Sequence, residues 1–275
     1  MKQENILVLG GTGKTGSRIV KQLKKLNHNV RIGSRKNNPP FNWGQPEQWF
    51  KVLENIDKVY ISYQPDLAVP GALDAIKNLV KIAKKFPIKK LVLLSGKGER
   101  EAELCEQVII HSGIDYTIIR ASWFNQNFSE SFLIEPIMNR EVALPQAHIK
   151  IPFVDANDIA EVAVKVLLDD IYNGQVYQLT GVTAITFEEA INIISNAIDT
   201  PIKFTPISIE AYEATMQNGG LSKDFIWLIK YLFTEVLGNP KNAETTQDIE
   251  RILNRKPITF SEYANKTAKT GVWNL

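Results

Sequence analysis

The sequence predicts an α/β protein built on a doubly wound parallel sheet. Three observations carry that expectation. Short apolar runs alternate with longer helical patterns as far as Arg120. The runs are rich in Val, Ile and Leu, as strands buried on both faces require. A glycine-rich turn, Gly10-Gly11-Thr12-Gly13-Lys14-Thr15-Gly16, joins the first run to the first helical pattern.

Ile6 to Leu9 reads as the first strand, and Ile19, Val20, Leu23 and Leu26 mark the helix after the glycines. Val30 to Ser34 is a second strand, followed by a short helix near Glu47–Leu53. Asp57 to Ser62 is a third strand, and Leu73, Ile76, Val80 and Ala83 mark a long helix. Leu91 to Ser95 is a fourth strand, Val108 and Ile109 close a helix with an acidic first half, and Tyr116 to Ile119 is a fifth strand. Beyond Arg120 the rhythm breaks into an aromatic, irregular stretch over 121–150. A short extended piece at Phe153-Val154 precedes a helix carrying Ile159, Val162, Ala163, Val166 and Leu167. Tyr177 to Thr180 is a further strand, and the remainder is mostly helical. Thr186-Phe187-Glu188-Glu189 and Thr259-Phe260-Ser261-Glu262 both read as capping boxes. The expected organisation is a nucleotide-binding lobe, 1–122 with 150–180, and a smaller, mostly helical substrate lobe, 123–149 with 181–275, packed over the carboxyl ends of the strands.

Gly13-Lys14-Thr15 invites a P-loop reading, G-x-x-x-x-G-K-[ST], but the first glycine of that motif falls on Val8. The spacing Gly10-x-x-Gly13-x-x-Gly16 between a strand and a helix fits a dinucleotide turn instead. It sets backbone N–H groups and a positive helix end where a pyrophosphate sits. An NAD site places a carboxylate at the end of the second strand for the ribose 2′-hydroxyl. Here Ser34, Arg35 and Lys36 stand in its place, and cationic donors suit a 2′-phosphate. NADP(H) is therefore expected over NAD(H).

The 275 residues are 44% hydrophobic and 23% charged, an ordinary globular composition. A net charge of +2 argues against a nucleic-acid footprint. Cys105 stands alone, so no disulfide forms within the chain. His28, His111 and His148 are scattered, and no metal site is expected. The start, Met1 to Asn5 and four apolar residues, is too short for a secretory core, and no apolar run has membrane-spanning length. A cytoplasmic protein is expected, with a homodimer possible.

The glycine turn, Arg35, Ser95-Gly96-Lys97-Gly98-Glu99 and Ser122-Trp123-Phe124-x-Gln126-Asn127-Phe128 together resemble the NmrA-like branch of the atypical short-chain dehydrogenase/reductases. Within it, the chain is most similar to agroclavine/festuclavine dehydrogenases of ergot alkaloid biosynthesis and their bacterial relatives. "SYQPDLAVPG", "SGIDYTIIRASWFNQNFSE" and "PFVDANDIAEVA" extend the resemblance over nearly the whole chain. It implies a Rossmann-type fold, an NADP(H) site and reduction of an imine or iminium, quinone or similar small-molecule acceptor. It also admits a cofactor-binding redox sensor that acts on a protein partner without turnover.

The usual enzymes of that superfamily carry a Ser and a Tyr-x-x-x-Lys. Ser95 matches the Ser. Anchoring the next helix on Glu106-x-x-Ile109 puts Gly98 at the Tyr position and Ala102 at the Lys, and no Tyr lies between 64 and 115. Reduction of a ketone develops an alkoxide that needs a positioned acid, whereas an iminium needs only hydride. The missing Tyr therefore points to an iminium or conjugated acceptor, or to no reaction. Ser95, Lys97 and Tyr63 are the candidates for chemistry. Cofactor contacts are expected from Gly10, Gly11, Thr12, Gly13, Lys14, Thr15, Gly16, Ser34, Arg35, Ser62, Tyr63, Gln64, Ser95, Gly96, Lys97, Ser122 and Trp123. Phe124, Asn127 and Phe128 are candidate acceptor contacts; Trp123, Phe124 and Phe128 read equally well as core. Phe225, Trp227, Leu228 and Leu232 read as one apolar helix face.

Overall fold

A computed structural model describes residues 3–274. Two compact units emerge: the chain up to Ala121 with Ala156–Gln178, and Ser122–Asp155 with Leu179 onward.

The first unit holds most of a six-stranded sheet. Its strands are β1 (Asn5–Leu9), β2 (Asn29–Gly33), β3 (Lys58–Ile61), β4 (Lys90–Gly96), β5 (Asp115–Ala121) and β7 (Gln175–Leu179), in the spatial order β2-β1-β3-β4-β5-β7. Pairing from β2 through β5 is parallel. Alternation along each strand divides the side chains between two layers. Leu7, Leu9, Val59, Ile61, Leu91 and Leu93 pack with Trp49 and Val52 of α2 (Trp49–Leu53), Ile76 and Leu79 of α3 (Ala72–Ala83), and Cys105 and Ile109 of α4 (Arg100–Ile110). The intervening Ile6, Val8, Tyr60 and Val92 are equally buried and belong to the other layer. There α1 (Lys14–Lys25) lies against α6 (Ala156–Leu168). The expected Rossmann-type sheet is present. Leu26, expected on the buried face of α1, lies one residue beyond the helix and is exposed.

The second unit is mostly helical. It contains α5 (Ile134–Met138), α7 (Phe187–Ala197), α8 (Ile209–Asn218), α9 (Lys223–Tyr231), α10 (Asp248–Leu253) and α11 (Phe260–Ala268). Both capping boxes form, at Thr186 before α7 and at Thr259 before α11. A two-stranded parallel sheet, β6 (Glu141–Leu144) with β8 (Lys203–Pro206), stands where the sequence showed only an irregular stretch and a helical remainder. Both strands are short, and they pair across 62 positions of sequence, Glu141 opposite Lys203. The core is aromatic: Phe128 and Phe153 are in ring contact with each other, and each contacts both Phe187 and Phe260. On α9 the buried residues are Ile226, Leu228 and Ile229, while Trp227 is exposed and stacks on Tyr231. The apolar face expected through Trp227 is thus rotated, because Ile226 and Ile229 supply the i, i+3 contact with the core.

Two lysines are buried at the amino ends of the central strands, Lys58 and Lys90, which are register partners. Lys58 meets Glu4 at 3.0 Å, and Lys90 donates to the Asp169 carbonyl at 3.2 Å. Burial pulls the Lys90 pKa down to about 8. The unfolded chain keeps that proton to a higher pH, near the ordinary value of 10.5. Stability therefore rises with pH between these two values, and the cost of the buried charge is fully present below pH 8. Lys90→Met should raise the Tm by roughly 5 °C at pH 7. The gain should shrink toward pH 10, as scanning calorimetry at several pH values would show.

Candidate functional site

The glycine turn follows β1 directly. Gly10 adopts φ +70°, a left-handed conformation, and its N–H donates to the Gly33 carbonyl at 3.1 Å, tying the turn to the end of β2. Gly16 is required by space: a side chain there would start 2.2 Å from the Gly10 carbonyl oxygen. The close approach lets α1 begin immediately over the turn. No side chain caps α1, and no acidic residue occupies its first turn. Its leading N–H groups and positive end are left for an anion. The residues present thus fit a dinucleotide pyrophosphate.

Thr12 is exposed and Lys14 half-buried. Thr15 departs from the expectation that its side chain touches phosphate. Its hydroxyl pairs with the Tyr60 hydroxyl at 2.9 Å in the sheet–helix layer, leaving its backbone amide for a ligand. Burial raises the Tyr60 pKa, so the pair is neutral.

At the end of β2, Ser34 donates to Asn37 Oδ1 at 2.5 Å, and Arg35 and Lys36 are exposed. Arg31 has a different duty, donating to the Val52 and Glu54 carbonyls at 2.8 and 2.7 Å and so closing the end of α2. After β3, Ser62 lies against Gly10, and Gln64 Nε2 lies 3.2 Å from where a Gly13 side chain would begin. Tyr63 packs on Trp43, ring centroids 4.7 Å apart, and burial raises its pKa. Gly10–Gly16, Ser34, Arg35 and Ser62–Gln64 are therefore gathered around the carboxyl ends of β1, β2 and β3.

After β4 the arrangement differs from expectation. Ser95 is buried and donates to Glu106 Oε1 on α4 at 2.6 Å. Arg120, the register partner of Ser95 on β5, grips the same carboxylate through Nε at 2.9 and 3.0 Å and a second nitrogen at 2.6 Å. Glu106 is 0% exposed. The Ser95 proton is thus committed to a structural carboxylate, and only the oxygen lone pairs remain to receive a donor. Gly96 lies under the Glu99 carboxyl, with Glu99 Oε1 1.8 Å from the position of an added Cβ. Lys97 is buried, and its N–H donates to the Ala121 carbonyl at 3.0 Å.

A carboxyl pair that the sequence did not disclose sits beside these residues. Asp66, on the loop after β3, hydrogen-bonds through its side chain to Glu99, which precedes α4. Burial raises the pKa of both, and the neighbouring Asp66 charge pushes Glu99 further, well above the usual carboxylate range. Cys105, fully buried, has its thiol pushed up to about 12, chiefly by burial. Glu106 was visible in sequence only as an anchor for the Tyr-x-x-x-Lys alignment, and nothing in the spacing of Asp66 and Glu99 marked them as partners.

In the second unit, Ser122 donates its N–H to the Leu179 carbonyl at 2.9 Å. Trp123 packs edge-on against Phe187 and Phe233 at 5.7 and 5.2 Å. Phe124 and Asn127 are half-buried. Phe128 is corrected to core: it is 0% exposed, and its carbonyl accepts the Trp273 indole N–H at 2.8 Å. Between them, Asn125 and Gln126 direct their amides onto the buried Asp155 carboxylate at 3.4 and 3.0 Å.

The model of the NmrA-like family matches residues 102–264. This chain belongs to the NmrA-like family. It is 30% identical to the uncharacterized oxidoreductase YesF of Bacillus subtilis, over 96% of this chain and 95% of that one. It is 28% identical to prestalk A differentiation protein A of Dictyostelium discoideum, covering 96% and 92%. With agroclavine dehydrogenase of Claviceps fusiformis the identity is 27%, covering 94% and 96%. Among solved structures, the fold is shared with the Escherichia coli NADPH-dependent quinone oxidoreductase QOR2 complexed with NADPH (TM-score 0.79, 18% identity, 95% and 99% covered). It is shared also with the Citrobacter triphenylmethane reductase complexed with NADP(H) (TM-score 0.73, 19% identity, 96% and 99% covered).

Two substitutions test the local geometry. Gly16→Ala should weaken dinucleotide binding at least tenfold in fluorescence titration, because the turn must open to admit the methyl. Glu106→Leu should lower the unfolding free energy in urea by about 3–5 kcal/mol, since Arg120 loses its buried partner.

Proposed function

We propose that this NmrA-like protein is an NADPH-dependent reductase of a small imine, iminium, quinone or similar conjugated acceptor. The observation that carries this reading is the uncapped start of α1 over the glycine turn, with Arg35 and Lys36 and no carboxylate at the end of β2. Such a pairing suits a pyrophosphate and a 2′-phosphate together. When bound, the reduced nicotinamide supplies hydride. The amides of the turn hold the pyrophosphate, the Arg35 guanidinium holds the 2′-phosphate, and Ser62, Tyr63 and Gln64 line the dinucleotide path beside them. Ser95 and Gly96 end the next strand, and Lys97 follows it, at the same end. Ser122, Trp123, Phe124 and Asn127 belong to the substrate side. The names borne by YesF and agroclavine dehydrogenase support a redox reaction on a small molecule.

The rival is a non-catalytic NADP(H) sensor that passes its occupancy to a protein partner. It draws on one observation: the Ser95 hydroxyl is already given to Glu106. The two are separated by NADPH oxidation against quinones, azo dyes and cyclic imines. Turnover supports the reductase; flat traces with tight NADP(H) binding favour the sensor. Arg35→Ala should raise the Kd for NADPH by roughly tenfold or more, the worth of charge-assisted hydrogen bonds, and leave that for NADH nearly unchanged. Calorimetric titration of both cofactors reads this directly, and tighter binding of NADH by the unaltered protein would overturn the cofactor assignment.

A further inference from the structure

β2 is the last strand on its side of the sheet and pairs with β1 alone. Its Asn29 N–H donates to the Glu4 carbonyl at 3.2 Å, and its Gly33 carbonyl accepts the Gly10 N–H at 3.1 Å. Peptide groups alternate in direction along a strand, so Asn29, Arg31 and Gly33 spend theirs on β1. The N–H and C=O groups of Val30 and Ile32 point the other way, where no strand stands, and they have no partner among the described residues. Both residues line a cavity of about 510 Å³ along this edge. Asn5, Asn55 and Lys24 line it too, which sets it toward the amino ends of β1 and β3 and the last turn of α1, away from the glycine turn.

The charges around the cavity have one sign. Arg31 and Lys24 are its ionisable residues, and no acid lines it. Register places Arg31 opposite Leu7, so its side chain leaves the sheet on the α2 face. One terminal nitrogen is held by the Val52 and Glu54 carbonyls, which fixes the guanidinium. Its other N–H groups have no partner among the described residues. Lys24 is exposed on α1, which covers the opposite face of the sheet, and likewise has no partner among the described residues. The edge is thus flanked by one cation on each face. A guanidinium already held in place meets a carboxylate at little cost in entropy. Open strand edges are ordinarily guarded by charged side chains along the edge. Here the strand's own cation is turned aside onto α2, and the peptide groups of Val30 and Ile32 are left facing the cavity.

We propose that this edge takes up an acidic peptide segment as a further strand beside β2. Val30 and Ile32 recur roughly 6.6 Å apart, the repeat at which an extended chain offers its own C=O and N–H groups. A lone carboxylate has no donor for the two carbonyls, whereas a peptide fills all four groups. Successive side chains of an added strand stand on opposite faces of the sheet. Two consecutive acidic residues therefore meet Arg31 on one face and Lys24 on the other. Acids separated by one residue fall on the same face and reach one cation only. The partner is a protein or peptide that presents an extended Asp/Glu doublet. Neither turnover nor a bound dinucleotide is required for this docking.

The test uses the full chain and fluorescein-labelled hexapeptides in anisotropy titrations. One peptide carries two adjacent glutamates among Val and Thr residues; the other has the same composition with one residue between the glutamates. The adjacent pair should bind about tenfold more tightly, the worth of one charge-assisted hydrogen bond. Lys24→Ala, an exposed change on the last turn of α1, should weaken the adjacent-pair peptide about tenfold and bring it level with the spaced one. Arg31→Gln should do the same, and Lys24→Ala carries the comparison should Arg31→Gln fail to fold. Independently of affinity, amide hydrogen exchange followed by NMR should slow at Val30 and Ile32 when the peptide is added. Saturating NADPH should leave the peptide Kd unchanged. Equal affinity for the two peptides, unslowed exchange at Val30 and Ile32, or displacement of the peptide by NADPH each overturns the proposal. So does displacement by free glutamate at the peptide's own concentration, which marks a small-anion site. A dimer in sedimentation that Lys24→Ala dissociates assigns the edge to a second copy of this chain and overturns it as well.

Discussion

A carboxylate shut away from water holds the working end of the sheet together. Glu106 projects from α4 and receives Ser95 from β4 and Arg120 from β5, residues that lie opposite each other in the strand register. A buried charge of this kind is tolerated only when its lone pairs are filled, and removal of one partner strands the others. The result is that two strand ends and one helix are tied to a single point. The loops leaving β4 and β5 start from anchored strand ends; the first carries Lys97 and Glu99 in the first unit, and the second leads to Ser122 and Trp123 in the second.

That tie also explains why the serine does not behave as its motif suggests. Its side chain shares a sheet face with Leu91 and Leu93, the face covered by α4. Strand alternation therefore aims it at the helix, and the helix meets it with an acid. Beyond the strand, backbone alternation no longer dictates direction. Glu99 folds back over Gly96 and meets Asp66 there.

Phosphate recognition is built by the opposite means. At the glycine turn no side chain caps α1, and the fit depends on the absence of atoms: Gly16 leaves room for the Gly10 carbonyl, and Gly10 turns through a left-handed conformation. Dipoles and amides, fixed by the fold, stand where side chains would intrude. Thr15, nominally part of the motif, points its hydroxyl into the layer beneath and braces the helix on Tyr60.

Much of the fold was legible from residue order. Runs such as Leu91 to Leu94 have the length and composition of doubly buried strands, and glycine spacing with its flanking strand and helix named the phosphate turn, because these are local properties of backbone and burial. The absence of a tyrosine between 64 and 115 and of a carboxylate after β2 were likewise plain in sequence. What only the tertiary structure decided were the pairings across distance. Glu106 with Arg120, Asp66 with Glu99 and β6 with β8 join residues whose separations follow no period, and which face Trp227 or Phe128 turns inward depends on neighbours far along the chain. Local propensity specifies which elements form; the register and packing between them determine which polar groups lose water together.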